Sequence, residues 1–152
     1  MADLKVGKGH VILPFESRFF SQIVAIERSS FQNPYSSDYL MLLASWNPKL
    51  FLTAVSNDHV VGYVAASARG KQSHVVSLAV RPEHRRMGVG TSLLEALLER
   101  LRSNGVAEVL LEVREDNLVA AGLYRKLGFR ASTRIAHYYE DGCAATVFEK
   151  SL

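Results

Sequence analysis

The 152-residue chain is 48% hydrophobic and 22% charged, with a formal net charge of +3. That is the size of one ordinary domain with enough apolar residues for a core, and residues 1–152 read as a single continuous unit. No apolar run approaches the ~20 residues of a membrane helix, and the modest, scattered positive charge makes no nucleic-acid-binding face.

Residues 1–10 carry no apolar signal-peptide core. The one cysteine, Cys143, allows no internal disulfide. Both features lead us to expect a cytoplasmic protein. Cys143 follows Asp141-Gly142, a turn signal, and reads as a small strand residue rather than a nucleophile. His10, His59, His74, His84 and His137 form no i,i+4 pair and no ligand spacing, so no metal is expected.

In chain order, residues 10–13 read as a first strand. Residues 15–31 carry Phe19, Phe20, Ile23 and Ile26 at helical spacing. A loop follows at 31–36, where Pro34 biases Asn33 away from helix. Residues 38–46 predict a second helix, stopped by Asn47-Pro48. Residues 51–56 and 60–68 read as strands joined by an Asn57-Asp58-His59 turn, and 74–81 as a third long strand. Residues 88–102 are the clearest helix, striped by Val89, Leu93, Leu94, Leu97, Leu98 and Leu101 and ended by Asn104-Gly105. Residues 108–113 predict a buried strand. Residues 117–127 predict a helix with Asn117 as N-cap and Gly128 as its stop. Strands at 130–138 and 144–149 close the chain. The order β-α-α-β-β-β-α-β-α-β-β predicts a mixed, partly parallel α/β sheet covered by helices.

The chemistry begins at Leu78-Ala79-Val80 and the turn Arg85-Arg86-Met87-Gly88-Val89-Gly90-Thr91. An apolar strand runs through a basic turn with two glycines into a helix. Unpaired N–H groups at a helix N-terminus favour an anion, and Gly88 and Gly90 would let a pyrophosphate approach the backbone. The spacing is Arg-x-x-Gly-x-Gly, which is neither the dinucleotide fingerprint nor a P-loop. An ordinary turn before a helix explains it too.

Downstream, Glu112 interrupts the apolar run Val109-Leu110-Leu111-Glu112-Val113. On a face with Leu110, among apolar neighbours, its pKa would rise toward that of a neutral-pH base. Alternatively it faces solvent or pairs with Arg114. Tyr124 lies two helical turns after Asn117, as a proton donor or as core packing. Tyr138 and Tyr139 are sequential, so only one should face a given pocket unless a bulge intervenes. Tyr35 sits in the Pro34 loop.

Together these residues resemble the GNAT acetyltransferase superfamily over nearly the whole chain. The matching words are Ser77-Leu78-Ala79-Val80, Arg85-Arg86-Met87-Gly88-Val89-Gly90, Leu111-Glu112-Val113-Arg114, Asn117 with Ala120-Ala121, Leu123-Tyr124 through Gly128-Phe129, Tyr138-Tyr139 and Asp141-Gly142. Within the superfamily the chain resembles N-terminal protein acetyltransferases, both the bacterial ribosomal-protein alanine type and archaeal ones. The resemblance implies a sheet of about seven strands with about four helices and a splayed strand pair holding acetyl-CoA. By the same resemblance Leu78, Ala79 and Val80 would meet pantetheine. Residues Arg85, Arg86, Met87, Gly88, Val89, Gly90 and Thr91 would seat the pyrophosphate, and Asn117 and Tyr124 would contact the cofactor. Glu112 would deprotonate the amine and Tyr124 would protonate or orient the departing thiolate. Tyr35, Tyr138 and Tyr139 would line the acceptor path, and the partners would be protein or peptide N-termini, ribosomal proteins among them. Many archaeal and eukaryotic relatives carry a Leu-Pro-Glu-Asn-Tyr loop. Here Phe31-Gln32-Asn33-Pro34-Tyr35-Ser36 has no carboxylate and looks more like the bacterial type.

Elementary acid–base chemistry favours an α-amine acceptor. With a pKa near 8, roughly a tenth of α-amines are neutral at pH 7, against under ~0.1% of lysines. The expectation is direct attack on the thioester in a ternary complex. Acetylation of lysines or small amines, and a non-catalytic acyl-CoA-binding module, remain as alternatives.

Overall fold

The structure, a computed structural model, describes residues 5–7 and 9–152. Residues 1–4 and 8, within the segment read as lacking a signal core, lie outside that description. Eight strands are described: β1 (Lys5–Gly7), β2 (His10–Pro14), β3 (Phe51–Ser56), β4 (His59–Arg69), β5 (Gln72–Val80), β6 (Glu108–Arg114), β7 (Arg130–Ile135) and β8 (Ala145–Ser151). The helices are α1 (Phe20–Ser30), α2 (Ser37–Trp46), α3 (Val89–Ser103) and α4 (Leu118–Lys126). They build one sheet in the order β1-β2-β3-β4-β5-β6-β8-β7. The count exceeds the expected seven by β1, three residues long, too short to leave a periodic pattern.

Two further boundaries differ from expectation. The first helical segment begins with a 3-10 turn at Ser17–Phe19 before α1. β7 stops at Ile135 instead of running to Tyr138, and His137 adopts φ +54°, which no extended strand accommodates. Asn57 and Asp58 both take positive φ (49° and 65°), the conformation a tight β3–β4 hairpin requires.

The sheet separates two apolar layers. On one face α3 and α4 pack through Leu93, Leu94, Leu97, Leu101 and Tyr124 onto Val64, Val109, Leu111 and Val113. Each fully buried Leu contributes about 1.5–3 kcal/mol. α3 approaches β4 closely because Gly62 has no side chain: a Cβ there would stand 2.9 Å from the Ala79 carbonyl and 3.2 Å from Val89. On the other face α1 and α2 bury Ile23, Ile26, Leu40 and Leu43 against Phe51, Tyr63, Ala65 and Ala79.

The functional consequence of the topology lies at the centre. Among the described residues β5–β6 is the one parallel pair, and it holds only at Gln72↔Glu108, Ser73↔Val109 and His74↔Leu110. Beyond it β5 stays on β4 as far as Gly62↔Val80, while β6 stays on β8 as far as Arg114↔Ala145. The sheet therefore opens into a V between Val75–Val80 and Leu111–Arg114. A bulge at Val76 adds one residue to β5, because Ala65 pairs with Ser77 but Ala66 pairs with Val75. An inserted residue reverses the alternation of faces. Val75 packs with the α3/α4 core, yet Ser77 turns to the α1/α2 side, where it meets Glu27 and Tyr63.

Candidate active site

A cleft of about 540 Å³ fills the V. One wall comes from the α1/α2 side, with Glu27, Phe31 and Tyr35; the other comes from α4, with Asn117, Ala120 and Tyr124. Both faces of the sheet reach the same cavity because the strands between them have parted.

Glu112 projects from β6 on the α1/α2 side. His74 Nε2 stands 2.9 Å from both of its carboxylate oxygens, and the Tyr138 hydroxyl donates to Oε1 at 3.0 Å. A carboxylate only accepts, so the imidazole presents its Nε2 proton. The His74 hydrogen bond, aided by Tyr138, holds the Glu112 carboxyl below the usual carboxylate range, against the desolvation that would raise it. The expected rise is therefore reversed: strand alternation exposed the apolar neighbours of Glu112, but not the histidine delivered by β5, 38 positions earlier. Nor does Arg114 take Glu112 as partner. It donates to Asp141 at 2.7 Å and lies over the Tyr139 ring, 4.9 Å from its centroid.

Tyr138 and Tyr139 both line the cleft, whereas alternation along a strand would have admitted one. β7 has already ended, and the pair sits edge-to-face (4.9 Å between centroids) in the loop closed by the turn from Tyr139 to Gly142. Desolvation pushes the Tyr139 phenol up to about 12. Tyr35 lines the same wall, packs against Tyr39 with the rings tilted and their centroids 5.0 Å apart, and is likewise raised, chiefly by burial. Tyr124 belongs to the opposite layer, packed against Phe129 and Phe148. Burial raises its phenol as well, so it keeps its proton. Tyr124 is thus core packing, one of the two alternatives posed for it, and it also lines the cleft.

The strand and turn divide their roles between backbone and side chain. Leu78 lines the cleft, Val80 packs on the α3/α4 core, and the Ala79 side chain is buried in the other core, away from the cavity. The Val89 side chain is also core. Gly88 caps α3 at φ +80°, with no side-chain cap. Ser92 N–H makes the first helical bond, to Gly88 O, so the N–H groups of Val89, Gly90 and Thr91 have no helical acceptor. Arg86 also takes positive φ (62°), Arg85 bonds back to Val80 O at 3.1 Å, and Met87 is 56% exposed. At Gly90 the missing Cβ serves packing, since an added one would lie 3.3 Å from Leu123. Asn117 lines the cleft while its Oδ1 accepts the Ala120 N–H at 3.1 Å as the cap of α4.

Sequence reading missed two residues. One is His74. The other is Glu27 on α1, 1% exposed, whose carboxylate accepts from the Tyr63 hydroxyl, from Ser77 Oγ at 2.9 Å and from the Tyr35 N–H at 2.9 Å. Burial and this carboxylate push the Tyr63 phenol well above its ordinary range. A charged residue inside the apolar stripe Ile23, Ile26, Phe31 was the available signal.

An open backbone edge on β5, an uncapped helix end past it and a cleft between them fit an extended thioester carrier with a diphosphate. The comparisons agree. The acetyltransferase (GNAT) family model matches residues 20–129. An N-alpha-acetyltransferase of Sulfurisphaera tokodaii is 32% identical over 93% of this chain and 92% of its own length. The crystal structure of Ard1 from Thermoplasma volcanium superposes with a TM-score of 0.91 at 27% identity, over 95% of this chain and 99% of that one. The ribosomal-protein-S18-alanine N-acetyltransferase of Escherichia coli gives 0.82 at 27% identity, over 93% of each chain. The chain belongs to the GNAT acetyltransferase family and is an acetyl-CoA-dependent acetyltransferase.

Proposed function

We propose that the acceptor is the N-terminal α-amine of a protein or peptide, approaching from the α1/α2 side between Tyr35 and the Tyr138-Tyr139 loop. The observation that carries this reading is the Glu112 carboxylate in the cleft, hydrogen-bonded by His74 and Tyr138 and so held below its usual range. A carboxylate held below its usual range is a weak base. It suits an amine already partly neutral at working pH, which the α-amine is and lysine is not. The N-alpha-acetyltransferase relative supports the same acceptor, and ribosomal proteins are natural candidates given the likeness to the S18-alanine enzyme.

Acetyl-CoA supplies the acetyl group as a thioester. The first-turn N–H groups of α3 and the left-handed turn at Gly88 would hold its diphosphate. The free edge of β5 would hydrogen-bond its arm. Glu112, oriented by His74 and Tyr138, accepts the proton that nitrogen loses as the new C–N bond forms. Tyr124, kept protonated by burial, would donate a hydrogen bond to the sulfur as the C–S bond breaks. With both substrates seated between the two loops and two helices, water would be displaced and the attack geometry fixed.

Intact-mass analysis of peptides with a free α-amine, a blocked α-amine and an internal lysine tests the acceptor. One acetyl group on the free α-amine and none on the blocked peptide is expected. Equal acetylation of the blocked peptide, or no acetylated peptide in a panel of N-termini, overturns the reading.

A further inference from the structure

Two strands distant in sequence and the loop that follows α1 meet at one buried carboxylate of that helix. Glu27 Oε1 accepts from Tyr63 on β4 and from Ser77 on β5, 2.9 Å away; Oε2 accepts the backbone N–H of Tyr35 at 2.9 Å. The Glu27 backbone carbonyl takes the N–H of Phe31. One residue thus fastens both ends of the 31–35 loop. The carboxylate itself is held from the sheet, and Ser77 reaches it only because the Val76 bulge turns it to this face. Burying a carboxylate is unfavourable unless donors surround it. Three donors converge on both oxygens of this side chain, an all-acceptor demand that a carboxylate meets and neither Gln nor an apolar residue does.

We propose that Glu27 is the positioning residue of the acceptor wall: it ties the Tyr35 loop to the bulged part of β5, so that acceptor affinity depends on its carboxylate while donor affinity does not. This rests on the reading of the Tyr35 side as the acceptor side. The donor is served by α3, α4 and the backbone edge of β5; the Glu27 hydrogen bonds reach neither helix and touch β5 only through the Ser77 hydroxyl, leaving its backbone edge free for the arm.

Two variants test the assignment. Glu27→Gln leaves a single acceptor oxygen, which can keep either the Tyr35 N–H or the hydroxyl protons. Tyr63→Phe loosens the carboxylate from the sheet with only a hydroxyl removed, and it keeps the test decisive if the buried Glu27 change disturbs folding. In each folded variant, amide exchange at Tyr35 should quicken and the KM for the acceptor should rise, about tenfold for Glu27→Gln and about threefold for Tyr63→Phe. kcat and the Kd for coenzyme A should stay within about twofold of wild type. A purely structural role would weaken both substrates together. Unchanged Tyr35 exchange and acceptor KM in both variants overturns the proposal, and so does a parallel loss of coenzyme A affinity. If the wild type acetylates lysine or a small amine instead, the same KM comparison with that acceptor decides the role of Glu27, and only the α-amine reading falls.

Discussion

The two sides of the split sheet are built by different means. On the α3/α4 side the parts that face the anion are backbone, an uncapped helix end, a left-handed glycine and a strand edge, with side chains such as Val89 and Ala79 turned into the cores and only Asn117, Ala120 and Tyr124 of α4 adding side chains to the cleft wall. On the α1/α2 side the ligand-facing parts are side chains bound to one another, with Glu112, His74 and Tyr138 in one group and Glu27, Tyr63 and Ser77 in the other. A backbone site recognises a ligand common to many proteins and tolerates substitutions that keep its dihedrals. A side-chain site sets chemistry and acceptor choice, and it fails when one partner is lost.

The largest expected break in this comparison is Glu112→Gln. It keeps the shape and one acceptor oxygen for His74 but cannot take a proton. Turnover at saturating acetyl-CoA should fall about 10²–10⁴-fold, while calorimetry shows unchanged coenzyme A affinity. Gly88→Ala should give the opposite pattern. A Cβ at Gly88 meets nothing within 4 Å, so the only penalty is φ +80°, about 1–2 kcal/mol for an L-residue. Relaxation of the turn should weaken coenzyme A about tenfold, with kcat at saturating acetyl-CoA preserved. A catalytic collapse in Gly88→Ala would erase the distinction between the two sides.

The same division explains what was legible from the chain. A left-handed turn needs glycine and an uncapped helix needs no partner, so the donor side is written in a short contiguous stretch around Gly88. The Leu stripe of α3 and the Asn117 cap are equally local. The acceptor side depends on long-range meetings, such as His74 with Glu112 and Glu27 with Tyr63, 36 positions apart, which no local period encodes. The Val76 bulge is the sharpest case. Residues 74–81 alternate like any strand, and only the register against β4 reveals that Ser77 has changed face. The absence of a carboxylate from the 31–36 loop was read correctly, yet the fold places one beneath it.

Asn117→Ala sharpens the comparison at smaller scale. The residue both caps α4 and lines the cleft. Loss of the cap should cost about 1 kcal/mol, seen as a Tm lower by roughly 2–8 °C. If its part in the site is mainly to fix the end of α4, kcat should change less than threefold.

The smallest expected effect concerns pH. Because Glu112 titrates below the usual carboxylate range, its ionised form persists through the acid limb of catalysis. The fall in kcat/KM below pH 8 should then follow protonation of the α-amine, with unit slope and no inflection from Glu112 near neutrality. The depressed value also contributes stability, present above the carboxyl's unfolded pKa near 4.3 and lost as pH falls through the lower folded one. His74→Leu removes the strongest hydrogen bond that lowers Glu112, leaving the desolvation opposed only by the weaker bond from Tyr138. The Glu112 ionisation should move upward into the acid limb, and the acid-side stabilisation should shrink. A wild-type inflection at neutral pH that His74→Leu leaves in place would mean that Glu112 is not governed by β5, and the acceptor side would lose its description as a coupled set of side chains.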